Sequence, residues 1–574
     1  MTETFETEDI KSLSSQIRGE KSSIFDLARG RLSVLATVFI ILYIVVAARV
    51  VDLSVMQGTL LQIKETQTAE IKEASVPLRA DIYDRNGFML ATTLKTKSLF
   101  VNASVIQNPQ AVLKELNKII PGLPQEKTLH LLSSGRQFDW IARDITPEQQ
   151  QAVMMMGEPA LGFKDEVRRI YPQGDLVSHL LGYTDIDEKG LAGLERAYND
   201  ELNEGAVPLY TTLDIRLQHA MNKELAKTMK EFKAKSATGV IMNIKTGELL
   251  AGGSYPRFDP NKASEASNNQ LFNRLTLGVY ELGSVFKIFS TAALLNEGAS
   301  MGQRFDATKP LKAGRFMIRD YHAEKRVMSV PEVFMHSSNI GSALMGQELG
   351  AERLKEYYRK LGLMDKPEFD ILETGKPIIP GVWRDVNTLT ASYGHGIAVS
   401  PLHLAAAVAT AVGDGTFVRP HLVAKTEEQN IVTRVFSEDT AINMRKLLRL
   451  NALEGTGKKA LVPGYSVGGK TGTADKPDAG GGYSGDKKIS SFVSIFPSED
   501  PEYLVLVVVD EPVGNERTYG YATGGWVAAP ATGRIVEHMV RILGIKPGIS
   551  DDDTQFVAPL LKYVEEDDKL ARVN

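Results

Sequence analysis

Residues Ser490–Asp510 read SSFVSIFPSEDPEYLVLVVVD. Two apolar, β-branched runs, Ser490–Phe496 and Tyr503–Asp510, flank the turn-forming PSEDPE, the pattern of a hairpin whose strands are buried. A second hairpin stands far upstream in Ala237–Ser254, ATGVIMNIKTGELLAGGS, with its turn at Lys245-Thr246-Gly247. Between these segments the pattern turns helical, as in SVFKIFSTAALLNE, which closes at Gly298, a C-terminal cap. Strands at both ends with helices between predict an α+β domain around an antiparallel sheet, spanning 226–545.

Outward from this domain the chain changes character. Residues 54–225 are polar and mixed, and predict a bracing or docking module without a catalytic constellation. Within them Arg79–Ala91, RADIYDRNGFMLA, reads as two strands around an Asn86-Gly87 turn, with Asp81 and Asp84 as turn residues. Arg168–Asp185, RRIYPQGDLVSHLLGYTD, reads as a loop entering a short helix. Leu32–Ala48 is seventeen residues without a charge, and the run predicts a membrane anchor over 32–53. Arg18, Lys21, Arg29 and Arg31 precede it, whereas only Arg49 and Lys64 lie close behind. The positive-inside rule then leaves residues 1–31 as a cytoplasmic tail and the rest outside. Residues 546–574, with DDD and EEDD runs, predict a solvated C-terminal tail.

Composition removes several kinds of chemistry. Lys plus Arg number 66 against 71 Asp plus Glu, so no broad basic surface is available for nucleic acid. There is no Cys, which excludes disulfides, thiolate nucleophiles and cysteine metal sites. Nine scattered His offer no H-E-x-x-H, and no metal or cofactor is expected. Ser, Lys, Asp and Glu remain.

Lys287 stands in Ser284-Val-Phe-Lys287-Ile-Phe289, between large apolar residues. An ammonium buried there must find a partner or lose its proton. Ser284, three residues earlier, shares its helical face, so a neutral lysine can take the seryl proton. Two more motifs follow in order: Ser337-Ser338-Asn339 in a polar turn, and Lys470-Thr471-Gly472-Thr473 after Val467, where a strand begins. Acyl transfer needs a nucleophile with its base, a proton relay to the leaving amine, and a strand edge to dock the carbonyl. A rival pattern, GYSVGGKT at 464–471, matches a phosphate-binding loop, but TGTADKPDAGGGYSG after the Lys cannot start the required helix.

S-x-x-K, S-x-N and K-T-G in this order resemble the penicillin-binding transpeptidases. Tyr280-Glu-Leu-Gly-Ser-Val-Phe-Lys287 is similar to the family's Y-E-P-G-S-x-F-K, with Leu282 where Pro is usual. RADIYDRNG resembles the class B pedestal motif, with Ala80 for Gly, and ARVVDL, RIYPQG, GLAGLE, TTLDIRLQ and GGWVAAP extend the likeness from the anchor to about residue 545. The stretch before residue 226 is too short and wrongly patterned for the glycosyltransferase domain of class A. The resemblance therefore implies a β-lactamase-like transpeptidase domain, an antiparallel sheet flanked by helices. Ahead of it would stand a mixed α/β pedestal of the dimerisation type and one transmembrane helix. Compact motif spacing and GGWVAAP favour the division-specific, FtsI-type class over the elongation-specific one.

The resemblance also implies roles. Ser284 attacks the penultimate D-Ala carbonyl of a peptidoglycan stem peptide, releasing D-Ala, and Lys287 is the base. Ser337 with Lys470 relays a proton to the leaving amine, and Asn339 positions Lys287 and the substrate amide. Backbone N–H groups of Ser284 and Thr473 form the oxyanion hole, while Lys470, Thr471, Gly472 and Thr473 bind substrate. A diamino-acid amine of a neighbouring stem resolves the ester, β-lactams acylate Ser284, and a SEDS-type, FtsW-like membrane glycosyltransferase and other division proteins are expected partners. The implied location is a bacterial inner membrane, with the catalytic domain in the periplasm at the septum. Two alternatives differ in class. A β-lactamase needs a deacylating water, yet no Glu-x-x-x-Asn occurs between Asn339 and Lys470. A scaffold or activator role for the glycosyltransferase would not need Ser284.

Other features take plainer readings. His395 and His403 are expected to serve loop packing rather than a cleft. Ala479–Lys488 predicts a mobile lip between two strands, and KEYYRKLG (Lys355–Gly362) an amphipathic helix with a solvated face.

Overall fold

A computed structural model describes residues 8–51, 78–205, 207–314, 316–424, 433–477, 482–548 and 552–564. The chain falls into two units, Met1–Val76 and Pro77–Asn574. In the first, one helix runs from Glu8 to Val51, uninterrupted because no Pro breaks it. Its stretch Arg29–Val51 is 23 residues, long and apolar enough to cross a membrane, and its side chains are exposed. The apolar run thus continues a helix that begins well before Leu32.

The second unit opens with β1 (Ile82–Tyr83), β2 (Met89–Val101), β3 (Asp139–Ile145), β4 (Leu161–Ile170) and β5 (Leu209–Tyr210). They form one sheet in the order β3–β2–β1–β5, with β4 along β2. The expected β1–β2 turn is present: Gly87 takes φ +83°, and the Asp84 carboxylate accepts the N–H groups of Asn86 and Phe88 at 2.8 Å each. Asp84 does more than close the turn. Its second oxygen accepts Ile215 N–H at 3.1 Å, fastening the turn to the first residue of the helix Ile215–Glu231. Helices Pro109–Ile119, Gln125–Leu132 and Pro147–Met155 cover Leu99, Val101 and Ile141 in a core of their own. Below β1 lies a buried ionic knot. Glu195 accepts Arg79 Nε at 2.6 Å and Arg169 Nε at 2.7 Å, and Arg79 Nη1 also reaches Asn203 Oδ1 at 2.7 Å.

The C-terminal part begins with β6 (Ser236–Asn243) and β7 (Leu249–Tyr255). Two small two-stranded sheets follow: β8 (Arg304–Asp306) pairs with β11 (Val327–Ser329), and β9 (Leu311–Ala313) with β10 (Phe316–Ile318). β12 (Gly468–Pro477), β13 (Tyr483–Phe496) and β14 (Tyr503–Asp510) complete a five-stranded antiparallel sheet, β12–β13–β14–β6–β7. Neighbours Phe492 and Val493 are both buried because both sheet faces are covered. Phe492, Val505 and Val507 meet the helices Ile215–Glu231 and Ala528–Leu543, while Val493, Leu504 and Leu506 meet Lys287–Asn296, Pro401–Val412 and Glu438–Glu454. Two-sided burial is why these strands read as continuous apolar runs.

Two sequence expectations need correction. The segment read as a solvated tail carries a helix, Asp552–Leu561, and buries Val557, Leu560 and Val564, while Tyr563 O accepts Ser329 Oγ at 2.7 Å. Apolar residues at helical spacing lie between the two acidic runs, whose charge obscured them. The stretch read as a mobile lip is strand from Tyr483 onward, paired as Asp475↔Lys488 and Lys476↔Ser484 across a bulge, so β12 and β13 form a long hairpin arm. Residues 479–481 of that stretch lie outside the described residues.

Candidate active site

The turn carrying Ser284 is shaped by glycine. Gly283 takes φ +56°, and a Cβ there would fall 2.5 Å from the Thr473 carbonyl oxygen. Ser284 therefore begins a single 3-10 turn, Gly283–Phe286, wedged against β12, and the helix Lys287–Asn296 continues from it. Val285, Phe286, Ile288 and Phe289 are fully buried, and the two Phe rings meet edge to face at 5.4 Å. Those anchors hold Lys287 in an apolar shell with no solvent exposure. Its Nζ lies 2.9 Å from Ser284 Oγ and reaches Ser337 O at 2.5 Å, Ser337 Oγ at 3.1 Å and Asn339 Oδ1 at 2.9 Å.

Ser337 occupies the turn between the helices Val330–Met335 and Asn339–Leu349, at φ +57°. A left-handed non-glycine residue stores strain, here used to aim both its carbonyl and its hydroxyl at Lys287. Ser338, which stands where the middle Asp is usual, caps the second helix by accepting Gly341 N–H at 2.9 Å. Asp320, absent from every motif, completes the turn. It accepts Ser338 Oγ at 2.8 Å, Asn339 N–H at 2.5 Å and Ile340 N–H at 2.9 Å, a carboxylate at a helix N-terminus.

The third motif lies on β12, the edge strand, whose outward N–H and C=O groups have no strand partner among the described residues. This also disposes of the phosphate-loop pattern, since Lys470 is within a strand rather than at a helix start. Lys470 is fully buried, and its Nζ lies 2.9 Å from Ser337 Oγ and 5.6 Å from the centre of the Phe334 ring. A Cβ on Gly472 would sit 2.3 Å from Leu282 O, so any side chain would push the Ser284 turn off the strand. Thr471 Oγ1 shares a 2.7 Å hydrogen bond with Thr456 Oγ1, and Thr473 Oγ1 accepts Gly524 N–H at 3.0 Å. Helix Glu438–Glu454 ties down the strand entry, Asn451 Nδ2 donating to Gly469 O at 2.7 Å.

Ser284, Ser337, Asn339, Thr471 and Thr473 line one cleft of about 550 Å³, with the two lysines buried behind them. All the residues expected at the site are thus brought together. Burial drives Lys287 well below the ordinary lysine range, the neighbouring Lys470 pushes the same way, and Asp320 opposes them. Burial alone brings Lys470 down to about 7. A neutral Lys287 has two N–H donors for Ser337 O and Asn339 Oδ1 and one lone pair left for the Ser284 hydroxyl. The four oxygens around it suit a free amine aimed at a nucleophile.

His395 departs from expectation. It lines this cleft beside Tyr393, whereas His403 does pack internally, capping Pro401–Val412 against Ser400 at 2.7 Å and meeting Asp365 O at 3.0 Å. Gly394 and Gly396, both at positive φ, carry the loop around His395, and that Gly-x-Gly frame was the available sequence signal. Lys459, Nζ 3.9 Å from the Trp526 ring centre, lines the same cleft.

Two family models match the chain: the penicillin-binding protein transpeptidase domain over residues 237–537 and the penicillin-binding protein dimerisation domain over 74–224. The chain belongs to the penicillin-binding transpeptidases. It is 39% identical over 483 residues to a protein of Caulobacter vibrioides named probable peptidoglycan D,D-transpeptidase FtsI, covering 82% of each chain. Peptidoglycan D,D-transpeptidase FtsI of Escherichia coli K12 is 27% identical, with 89% of this chain and 91% of that one covered. Stage V sporulation protein D of Bacillus subtilis is 31% identical, with 82% and 79% covered. The crystal structure of penicillin-binding protein 3 from Mycobacterium tuberculosis complexed with aztreonam shares the fold, at TM-score 0.65 and 24% identity over 82% of this chain and 97% of that one. Within the family the chain has class B organisation, a dimerisation-type domain followed by a serine D-Ala-D-Ala transpeptidase domain.

Proposed function

We propose that this penicillin-binding transpeptidase cross-links septal peptidoglycan from the outer side of the inner membrane. The observation that carries the chemistry is the 2.9 Å approach of Ser284 Oγ to the buried Lys287 amine, with Ser337 between the two lysines. Ser284 Oγ passes its proton to Lys287 Nζ and bonds to the penultimate D-Ala carbonyl carbon of a donor stem. The oxyanion rests on the backbone N–H groups of Ser284 and Thr473, the latter on the free edge of β12. As the C–N bond breaks, Ser337 Oγ gives its proton to the leaving D-Ala and regains one from a lysine. Lys470, Thr471 and Thr473 face the substrate carboxylate, Gly472 lies in the same substrate-binding strand, and Asn339 holds the amide. An amine from a second stem displaces Ser284, forming the cross-link. A β-lactam would be trapped at the ester stage.

The working division of the chain is a cytoplasmic tail to residue 31, an anchor over 32–53, a pedestal over 54–225, a transpeptidase domain over 226–545 and a tail to 574. The helix long enough to span a membrane supports anchoring, and the preceding basic residues support a tail held inside. The FtsI-named relatives support a division role over an elongation role. A SEDS-type glycosyltransferase is the expected partner of anchor and pedestal.

Labelling membranes with a fluorescent penicillin tests the chemistry. The wild type should carry the label and Ser284→Ala none. A mutant that still labels covalently removes Ser284 from the mechanism. If Ser284→Ala also supports division as well as wild type, scaffolding rather than catalysis is the main role.

A further inference from the structure

Proton balance leaves one task in the second half-reaction unassigned. The acceptor amine arrives as an ammonium, since ordinary alkylamines hold their proton to about pH 10. Its attack on the Ser284 ester must shed two protons. One returns through Lys287 to Ser284 Oγ as the ester bond breaks. The other must leave before attack, because an ammonium has no lone pair.

An ionisable pair without a role in the acylation chemistry stands on the same cleft wall. His395 lines the cleft with Ser284. Its loop is seated on the nucleophile turn: a Cβ on Gly394 would lie 2.1 Å from Gly283 O, and Tyr280 and Val399 exchange backbone hydrogen bonds at 2.9 and 3.0 Å. The imidazole is braced by Tyr393 and Tyr483, ring centres 5.5 and 5.2 Å away. Glu281 Oε2 lies 3.5 Å from Nδ1, and that carboxylate is itself held by Tyr483 OH at 3.1 Å and Gly396 N–H at 3.2 Å. Among the described residues Nε2 has no hydrogen-bond partner. The other titratable groups facing the ring are Asp475 on β12, paired with Lys488 on β13 at 2.7 Å, and Lys287 from its helix.

We propose that His395, oriented by Glu281, is the general base that deprotonates the acceptor ammonium. The inference rests on the transpeptidase reading and deepens it. Nε2 takes the first proton; the freed amine bonds to the acyl carbon; the carbon–Oγ bond breaks; the second proton passes through Lys287 to Ser284. The imidazolium then releases its proton to water. Hydrolysis has no ammonium to discharge, so His395 should separate aminolysis from hydrolysis. Burial, chiefly, lowers the imidazole below its ordinary range against the pull of Asp475, which keeps it a proton acceptor at neutral pH.

The test uses the full chain in detergent, an N-acyl-D-alanyl thioester as donor and D-alanine as acceptor. The aminolysis-to-hydrolysis ratio of the acyl-enzyme is followed from about pH 5.5 to about pH 9, spanning the imidazole range. In the wild type the ratio should rise and flatten once the imidazole is neutral. In His395→Gln it should fall about a hundredfold at neutral pH, the usual weight of a general base. There it should keep climbing with pH, following the amine's own ionisation. Glu281→Gln should retain the flattening but lower the ratio about tenfold, and it decides the matter if His395→Gln does not fold. A wild-type ratio and flattening in both variants overturns the proposal, as does loss of acylation and aminolysis in equal proportion, which marks a structural role. A wild type that forms no acyl-enzyme overturns the transpeptidase reading itself, a failure seen by mass spectrometry before any acceptor is added.

Discussion

Arg79 and Arg169 in the N-terminal lobe are buried almost as completely as Lys287 and Lys470 in the cleft domain, yet the two pairs are treated in opposite ways. The arginines converge on one carboxylate, Glu195, at 2.6 and 2.7 Å, with carbonyl and amide oxygens taking further N–H groups. The lysines meet neutral oxygens and share the Ser337 hydroxyl, and no carboxylate among the described residues pairs with either. A charge that is to stay charged is given a counter-ion; an amine that is to accept a proton is denied one. Arginine suits the first site because it cannot be neutralised, and lysine the second because it can.

Crossed substitutions should break this comparison most visibly. Glu195→Gln leaves two buried guanidinium groups without an anion, and unfolding measurements should show a loss of about 3–5 kcal/mol. Lys287→Met removes the base while an unbranched side chain keeps the packing of the lysine stem among its buried apolar neighbours. Penicillin acylation should fall about 10³-fold, within the range of general-base contributions, while thermal stability at neutral pH stays level or rises. If Lys287→Met unfolds the domain as Glu195→Gln does, both buried cations are structural and the contrast fails.

The contrast was only half legible in the sequence. Lys287 became legible only in company: S-x-x-K alone also reads as a capping serine with a snorkelling lysine, and it was the ordered S-x-N and K-T-G motifs that set it apart. The strands over 237–254 and 490–510 were legible because two-sided burial writes itself as uninterrupted apolar runs. The Arg79–Glu195–Arg169 knot was not, since its members are separated by long stretches of chain and each alone resembles a surface charge. Asp320 escaped for the same reason: it sits in a polar loop 18 residues before Ser338, and only the folded chain brings its carboxylate to that turn. His395 was set aside as loop packing because a single histidine carries no periodicity, while the glycines on either side mark a close approach of backbone. The helix after Asp552 was hidden by the acidic runs around it.

A smaller effect should appear in pH dependence, and its sign follows from the lysines. Lys470 is brought to about 7 in the folded protein, against 10.5 for an ordinary lysine. The unfolded chain therefore binds more protons between those values, and stability should increase as pH rises from about 7 towards about 10.5. Acylation should be lost on the acid side, as Lys470 takes up its proton around 7 and a protonated Lys287 leaves the Ser284 proton nowhere to go. Pre-steady-state penicillin acylation and thermal melts over the same pH series check both signs. A flat acylation profile would mean that neither amine titrates in the working range.

The smallest effect tests Asp320, an anion near the cleft lysines. Asp320 touches neither amine but favours the charged form of Lys287 through space. Asp320→Asn keeps the side chain's shape and one acceptor oxygen for the Asn339 turn while removing the negative charge. Weakened bonds to the backbone N–H groups of Asn339 and Ile340 should cost about 1–2 kcal/mol in unfolding free energy. The acid limb of acylation should move to lower pH, because a lysine relieved of a neighbouring carboxylate releases its proton more readily. Were Asp320 only a helix cap, stability would fall and the limb would stay where it was. A limb that moves upward would mean the carboxylate acts on Lys287 by placing Ser337 and Asn339 rather than by its charge. A double substitution with Ser338→Ala separates the two, since losing the cap disturbs the turn without touching the field.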